Sequence, residues 1–334
     1  FDVVGRLPEF QKTYAQGSGG VFSTTSGTSW GPKISELPND ATYGGNTDNE
    51  YTQKFGKQQG KYYVPQRAAA GLDPWATPQA YDNAKDFFDT GITWSNSLNV
   101  AQMLDKSSYS ISLGNTHQDG IISSTGMDRY NVKVSADTKL TNNWSSGFTA
   151  NYITTSIDKA VTSGNGLLRT VYAAPPSYDL AGIPSHVDGN PYTQNSFRGS
   201  FDNAYWAMEN NKFTEDTNRF FGNVYASYQT DFGTTNHKLN AKYMVGVDAY
   251  TTHYVDSYGY GSNTGGGRGQ IENYGWTNAT YNSLLTINYD WHINEDWGLN
   301  AVVGNEIIQS NRKKYYEYGT NYNFCLLYTS DAAD

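Results

Sequence analysis

Cysteine is almost absent: a single residue, Cys325, in 334. One thiol excludes an internal disulfide framework and any site built from several cysteine ligands. Histidine is nearly as sparse. The five, His117, His186, His237, His253 and His292, are scattered with no HExxH or paired spacing, so surface and turn roles are expected and no metal site. No run approaches the roughly 18 consecutive apolar residues of a membrane-spanning helix, which confines any membrane reading to strands. Basic residues are few, 23 Lys and Arg against 32 Asp and Glu, for a net charge of −9. Without a basic stripe to neutralise phosphates, no nucleic-acid partner is expected.

What is present in quantity is Tyr (28), Trp (8) and Gly (34), in a chain only 37% hydrophobic with a mean hydropathy of −0.66. A barrel strand shows lipid only every second side chain while the other half faces a polar lumen, so a low average is compatible with membrane insertion. The alternation is there. Trp94, Leu98 and Val100 oppose Ser95, Ser97 and Asn99, and Tyr109, Ile111 and Leu113 alternate with Ser108, Ser110, Ser112 and Gly114. Tyr130, Val132, Val134 and Ala136 continue it, as do Trp144, Phe148, Ala150 and Tyr152. A second block carries Phe220, Val224, Ala226 and Tyr228, then Leu239 to Val247, Leu285 to Tyr289, and Leu299 to Val303.

The connections sort into two classes that alternate along the chain. Short ones lie at 105–106, 140–143, 232–236 and 292–296, and long ones at 6–92, 118–127, 158–217 and 257–272. Outer-membrane barrels have this asymmetry between periplasmic turns and extracellular loops. Trp144, Phe232, Trp291 and Trp297 fall beside the short turns, where an interfacial aromatic girdle would sit. A soluble sandwich whose Trp residues cap its core shares the pattern and remains open on periodicity alone. One short helix is expected within 200–211.

Motifs for covalent chemistry are missing. The glycine cluster 259–269 lacks the Lys-Ser/Thr pair and following helix of a phosphate loop, and reads as an external loop. Asp179, Asp188, Glu209, Glu215 and Asp216 read as solvated loop acids, and the Asp188 to Asn190 triplet leaves calcium open in an external loop but is a weak signal beside a full ligand loop. No enzymatic activity and no cofactor are expected. Flat rings beside polar side chains suit a sugar face and its hydroxyls. The ligand-binding candidates are therefore Tyr192, Tyr205 and Trp206, with Arg198 and Asn203 as polar neighbours.

Several stretches in order resemble the SusC/RagA-type TonB-dependent outer-membrane transporters. RLPEFQKTYAQGSGG and SWGPKI resemble that family's first strand exit and first external loop, and DFFDTGITWSNSLNV the entry to the next strand. The double hairpin around Asp119, Gly120, Ile121, Arg129 and Tyr130 is similar as well, as are NPYTQNSFRGSFDNAYWAMENNKFTEDTNRFFGNV and NEDWGLNAVVGNE.

The resemblance implies an all-β antiparallel transmembrane barrel of about 22 strands. Residues 1–324 would supply an N-terminal eight to nine of these strands, the plug and later strands lying elsewhere. It further implies an outer-membrane location and import of oligosaccharides or peptides with a SusD-like lipoprotein. TonB-ExbB-ExbD would act through a region this sequence lacks. The chain opens mid-pattern without a signal peptide, so a truncated start is expected. The last ten residues, CLLYTSDAAD, resemble a reading frame of a sequencing-library adapter, so 325–334 are expected not to belong to the natural chain.

Overall fold

The computed structural model describes residues 8–161, 166–233 and 236–322. The adapter-like segment 325–334, with Cys325, and the chain start through residue 7 lie outside the described residues.

Eight long strands form one antiparallel sheet in strict sequence order. They are β1 (Ile92–Met103), β2 (Ser107–Asp119), β3 (Gly126–Lys139), β4 (Trp144–Lys159), β5 (Lys212–Thr230), β6 (His237–Tyr260), β7 (Arg268–His292) and β8 (Gly298–Thr320). The sheet runs through all eight without closing, so β1 and β8 are edges. No described helix is long and apolar enough to cross a membrane.

Alternation fixes the register, because residues opposite each other in a ladder share a face. Leu98, Leu113, Val132, Tyr152 and Phe220 are successive cross-strand partners. The parallel line through Val100, Ile111, Val134, Ala150, Gly222 and Val247 is equally free of charge. On the other face, Lys133, Asn151, Phe221 and Asp248 are partners, and Arg219 donates to Asp248 from Nε at 2.8 Å and Nη2 at 2.6 Å.

The apolar band does not follow one register line. The line through Ile111 ends at Gln309 on β8, yet the apolar run on β8 is Leu299 to Ile307, centred on Val303. The band descends close to one residue per strand. At about 3.3 Å per residue against about 4.8 Å between strands, this is a tilt of roughly 30–35° from a common normal. A level apolar belt on a tilted sheet is the geometry of a barrel wall in a bilayer.

Burial separates this arrangement from a soluble sandwich. Leu98 (58%), Ile111 (44%), Val132 (40%) and Val224 (53%) are exposed, and no residue of the eight strands belongs to the hydrophobic core. A sandwich buries one face of each sheet against the other. Here the core lies in the connections: Leu37, Val64, Phe87, Val171, Leu180, Phe197 and Trp206 pack residues 8–91 against 160–211.

Among the described residues five short α-helices sit in that loop core: α1 (Glu50–Phe55), α2 (Pro65–Ala69), α3 (Asn83–Phe87), α4 (Leu167–Ala173) and α5 (Ala204–Asn210). The helix expected within 200–211 is α5. α1 starts at a reciprocal capping box, with Asn49 accepting from Thr52 N and Thr52 Oγ1 accepting from Asn49 N, which satisfies two end donors at once.

The turn end is tight. Asn143 N and Trp144 N donate to Thr141 Oγ1, and Asp296 N and Trp297 N donate to Asn294 Oδ1. Trp144, Phe232, Trp291 and Trp297 are all exposed beside these turns.

The loop end is where sequence boundaries needed correction. The connection expected at 257–272 is only 261–267, because β6 and β7 run 24 and 25 residues, and 118–127 shortens to 120–125. The loop expected over 158–217 ends at 211, since β5 begins at Lys212 and not near Arg219. Crossing a bilayer takes about 9–11 residues, so these strands stand well clear of it. Above that level both faces meet water, and the apolar alternation that marks a strand in sequence fades while the ladder continues.

Candidate ligand-binding wall

The five sequence candidates all belong to the segment between β4 and β5, but they do not form one surface. Asn203 is the N-cap of α5. It is 1% exposed, accepts from Tyr205 N at 2.9 Å and Trp206 N at 3.4 Å, and donates from Nδ2 to Asn195 O at 2.8 Å. Trp206 is fully buried and donates Nε1 to Pro191 O at 2.8 Å. A ring with no exposed face offers a sugar nothing to stack on, so both side chains serve the loop core in this conformation.

Tyr205 is half-buried, edge-on to Phe87, with its hydroxyl donating to Asp86 O at 3.3 Å. Burial and then Asp86 push its phenol up, so it remains a neutral donor. Tyr192 and Arg198 reach the surface in part, Tyr192 edge-on to Tyr260 at the end of β6.

Asn203→Ala is expected to lower loop-core stability by about 1–2 kcal/mol through loss of the cap. Hydrogen exchange of α5 amides reads this directly; unchanged protection would show that the cap contributes nothing.

Asp202 anchors the 261–267 hairpin to this segment. It accepts from Gln194 Nε2 (2.6 Å), Ser262 Oγ (2.6 Å), Asn263 N (2.7 Å) and Asn263 Nδ2 (2.9 Å). Gly261 sits at φ +98° where a Cβ would run into the Tyr192 carbonyl, so a glycine is required for the close approach. The glycine cluster thus forms a clamped hairpin followed by a strand, not a phosphate loop. Among the described residues, no group of His, Cys, Asp and Glu is arranged to hold a metal ion.

A denser aromatic site lies on the polar face of the sheet near its loop end. Tyr254, Tyr274 and Tyr316 are cross-strand partners on β6, β7 and β8. Tyr254 and Tyr274 stack at 4.9 Å with planes 9° apart, and Trp276 lies 5.4 Å from Tyr254. Rings on the lipid side would need no polar company, but these have it. Tyr274 donates to Asp256 Oδ2 at 3.2 Å, and Lys159 bridges to Glu215 at 3.2 Å while lying 4.5 Å over the Tyr254 ring. Arg312 covers Trp276 at 4.8 Å, and Trp276 Nε1 is buried with no acceptor.

Ring faces, neighbouring carboxylates and an unused donor are the groups that suit a ring-bearing or hydroxyl-rich ligand. Sequence reasoning missed it because it looked for rings in loops. The signal was aromatic residues at even spacings, Tyr254 and Tyr258 four apart, Tyr274 and Trp276 two apart, and Tyr316 and Tyr318 two apart.

No protein-family model matches the sequence, and no curated protein matches it. Solved structures do. The RagAB peptide importer in its "closed-closed" state matches at TM-score 0.58 and 16% identity, over 73% of this chain and 27% of that one. Its "open-open" state matches at 0.57 and 16%, and a further structure of the RagAB peptide transporter at 0.56 and 17%, with the same coverage. This chain spans little more than a quarter of the length of the solved chains it matches. Identity this low carries fold alone. The eight-stranded open sheet has the fold of a portion of the RagA barrel, the same barrel type that the sequence resemblance points to.

Proposed function

We propose that this chain is part of a TonB-dependent outer-membrane importer of oligosaccharides or peptides. It would work with a SusD-like surface lipoprotein and draw energy from TonB-ExbB-ExbD. The observation that carries the reading is the two-sided sheet. One face is a tilted, exposed apolar belt; the other is polar and bears an aromatic wall at the end capped by folded loops. A belt of this kind belongs in outer-membrane lipid. The open edges at β1 and β8 require further strands, because unpaired backbone groups in hydrocarbon cost several kcal/mol each.

The protein binds and passes its ligand without covalent chemistry. The wall of Tyr254, Tyr274, Trp276 and Tyr316 takes the ligand's rings or hydroxyls, and Tyr192, Arg198 and Tyr205 contact it at the rim. Uptake of labelled oligosaccharides and peptides by cells carrying the full-length gene tests this. The expected result is saturable uptake abolished by loss of TonB; uptake indifferent to TonB would leave a passive porin instead.

Within that assay, Tyr274→Ala and Trp276→Ala are each expected to weaken binding by about 1 kcal/mol or more, roughly fivefold to tenfold in Kd. Both leave the loop core untouched. Unaltered affinity in both variants would remove the wall from the ligand's path.

A further inference from the structure

Lys159, the last residue of β4, places its ammonium in a seat built by the neighbouring strands. Its Nζ lies 3.2 Å from Glu215 Oε2 on β5 and 4.5 Å over the ring of Tyr254 on β6. Glu215 and Tyr254 are direct cross-strand partners, so the ladder, and not Lys159, sets carboxylate and ring side by side. Tyr254 is braced from β7, where Tyr274 stacks on it at 4.9 Å. Burial and then Glu215 push the Tyr254 phenol up, so the ring stays neutral beside the carboxylate.

A carboxylate beside a ring face suits an ammonium or guanidinium group. Other rings on this side of the sheet carry cations too: Arg312 lies 4.8 Å over Trp276, Arg219 4.9 Å over Phe221 and Lys242 4.1 Å over Tyr225. By register the Lys159 seat is nearest the loop end of these, where an incoming ligand arrives first. The side chains of Lys159 and Glu215 are 34% and 27% exposed, so the seat is open to a ligand yet partly withdrawn from water.

Lys159 is also the movable part of the seat. Lysine reaches it on a long flexible stem, and Lys159 borders a cavity that Asp202, Asn211 and Tyr258 also line. An ammonium leaving the seat therefore has a second acid, Asp202, on the walls around it. What takes its place decides the cost. A neutral ring or hydroxyl leaves Glu215 half-buried and unpaired, whereas a cation restores both contacts.

We propose that Lys159 is a removable occupant of the Glu215 and Tyr254 seat, which it yields to an ammonium or guanidinium group on the ligand, carried by a basic peptide or an amino sugar. The inference rests on the importer reading for the wall's part in holding ligand; the seat itself does not depend on transport.

The test uses the full-length protein in detergent and two pairs of probes, each a cation and its neutral counterpart. One pair is a glucosamine trimer and its N-acetylated form. The other is an end-blocked tripeptide with a central lysine and the same peptide acetylated on that lysine. In the wild type the charged member is expected to bind about twofold to fivefold more tightly in at least one pair. Glu215→Gln erases that preference, and Lys159→Met tightens binding of the charged member further by removing its competitor. A preference in the sugar pair alone assigns the seat to amino sugars, and one in the peptide pair alone to basic peptides.

A wild-type protein that binds neither charged member more tightly than its acetylated counterpart overturns the proposal. So does a preference that survives Glu215→Gln, or a Lys159→Met protein that binds the charged members no better than the wild type. Should Lys159→Met fail to fold, Lys159→Gln removes the same charge and decides, while Lys159→Arg keeps a cation in place and retains wild-type affinity. The charge preference in a protein whose uptake is indifferent to TonB sinks the importer reading and spares the seat. TonB-dependent uptake with no charge preference does the reverse.

Discussion

Val132→Arg is expected to destabilise the full-length barrel by about 2–4 kcal/mol, the cost of a cation near the bilayer midplane on the lipid face of a barrel. Val132 is 40% exposed and lies between Leu113 and Tyr152 in the centre of the apolar belt. The adjacent Lys133 projects to the opposite face, beside Asn151, where a charge is already accommodated. Ser135→Arg, on that polar face, is expected to cost much less, about 1 kcal/mol or below.

Denaturant unfolding from lipid bilayers, with both variants side by side, reads the difference. The contrast between faces is the content of the prediction, because a one-residue step reverses the environment. Equal costs at Val132 and Ser135 would mean that the belt does not face lipid.

How much of this was legible in the sequence depends on the range of the interactions. Strand identity and pairing come from a period of two that any five residues display, so Tyr109, Ile111 and Leu113 announced both the strand and its buried or lipid-facing side. The order of short and long connections gave the sheet its up-and-down path.

Boundaries at the loop end were less readable. Around Tyr254 to Tyr260 and Arg268 to Tyr274 the residues are mostly Tyr, Gly and polar side chains on both faces, with Val255 and Ile271 the only aliphatic ones, and such a composition describes a loop as well as a solvated strand. The ladder there persists through backbone pairing and stacked rings, which leave no hydrophobic trace.

The loop core was not readable at all. Leu37, Phe87, Leu180 and Trp206 come together from segments separated by tens of residues, without periodicity in any of them. For this reason Trp206 and Asn203, both in an aromatic and polar stretch, looked like ligand contacts. The same composition that makes a sugar platform makes a small core when the chain folds back over it.

Trp206→Ala is expected to cost about 3–5 kcal/mol, the range for truncating a large buried aromatic. The ring is completely buried in α5, with Gly261 beside it and Pro191 O accepting from its Nε1. Truncation leaves a cavity and strands the Pro191 carbonyl; Trp206→Phe refills part of the cavity and still loses the donor, so a smaller loss is expected. The effect is confined to the loops, because no strand residue belongs to their core.

Limited proteolysis should therefore cut residues 160–211 at a lower temperature in the variant, while the sheet retains its heat-resistant migration on gels. A ligand-stacking tryptophan would behave in the opposite way, with weakened binding and unchanged proteolysis. The two readings of Trp206 thus predict opposite pairs of results. Burial selects the first, in which the tryptophan affects ligands only by holding Tyr192 in place.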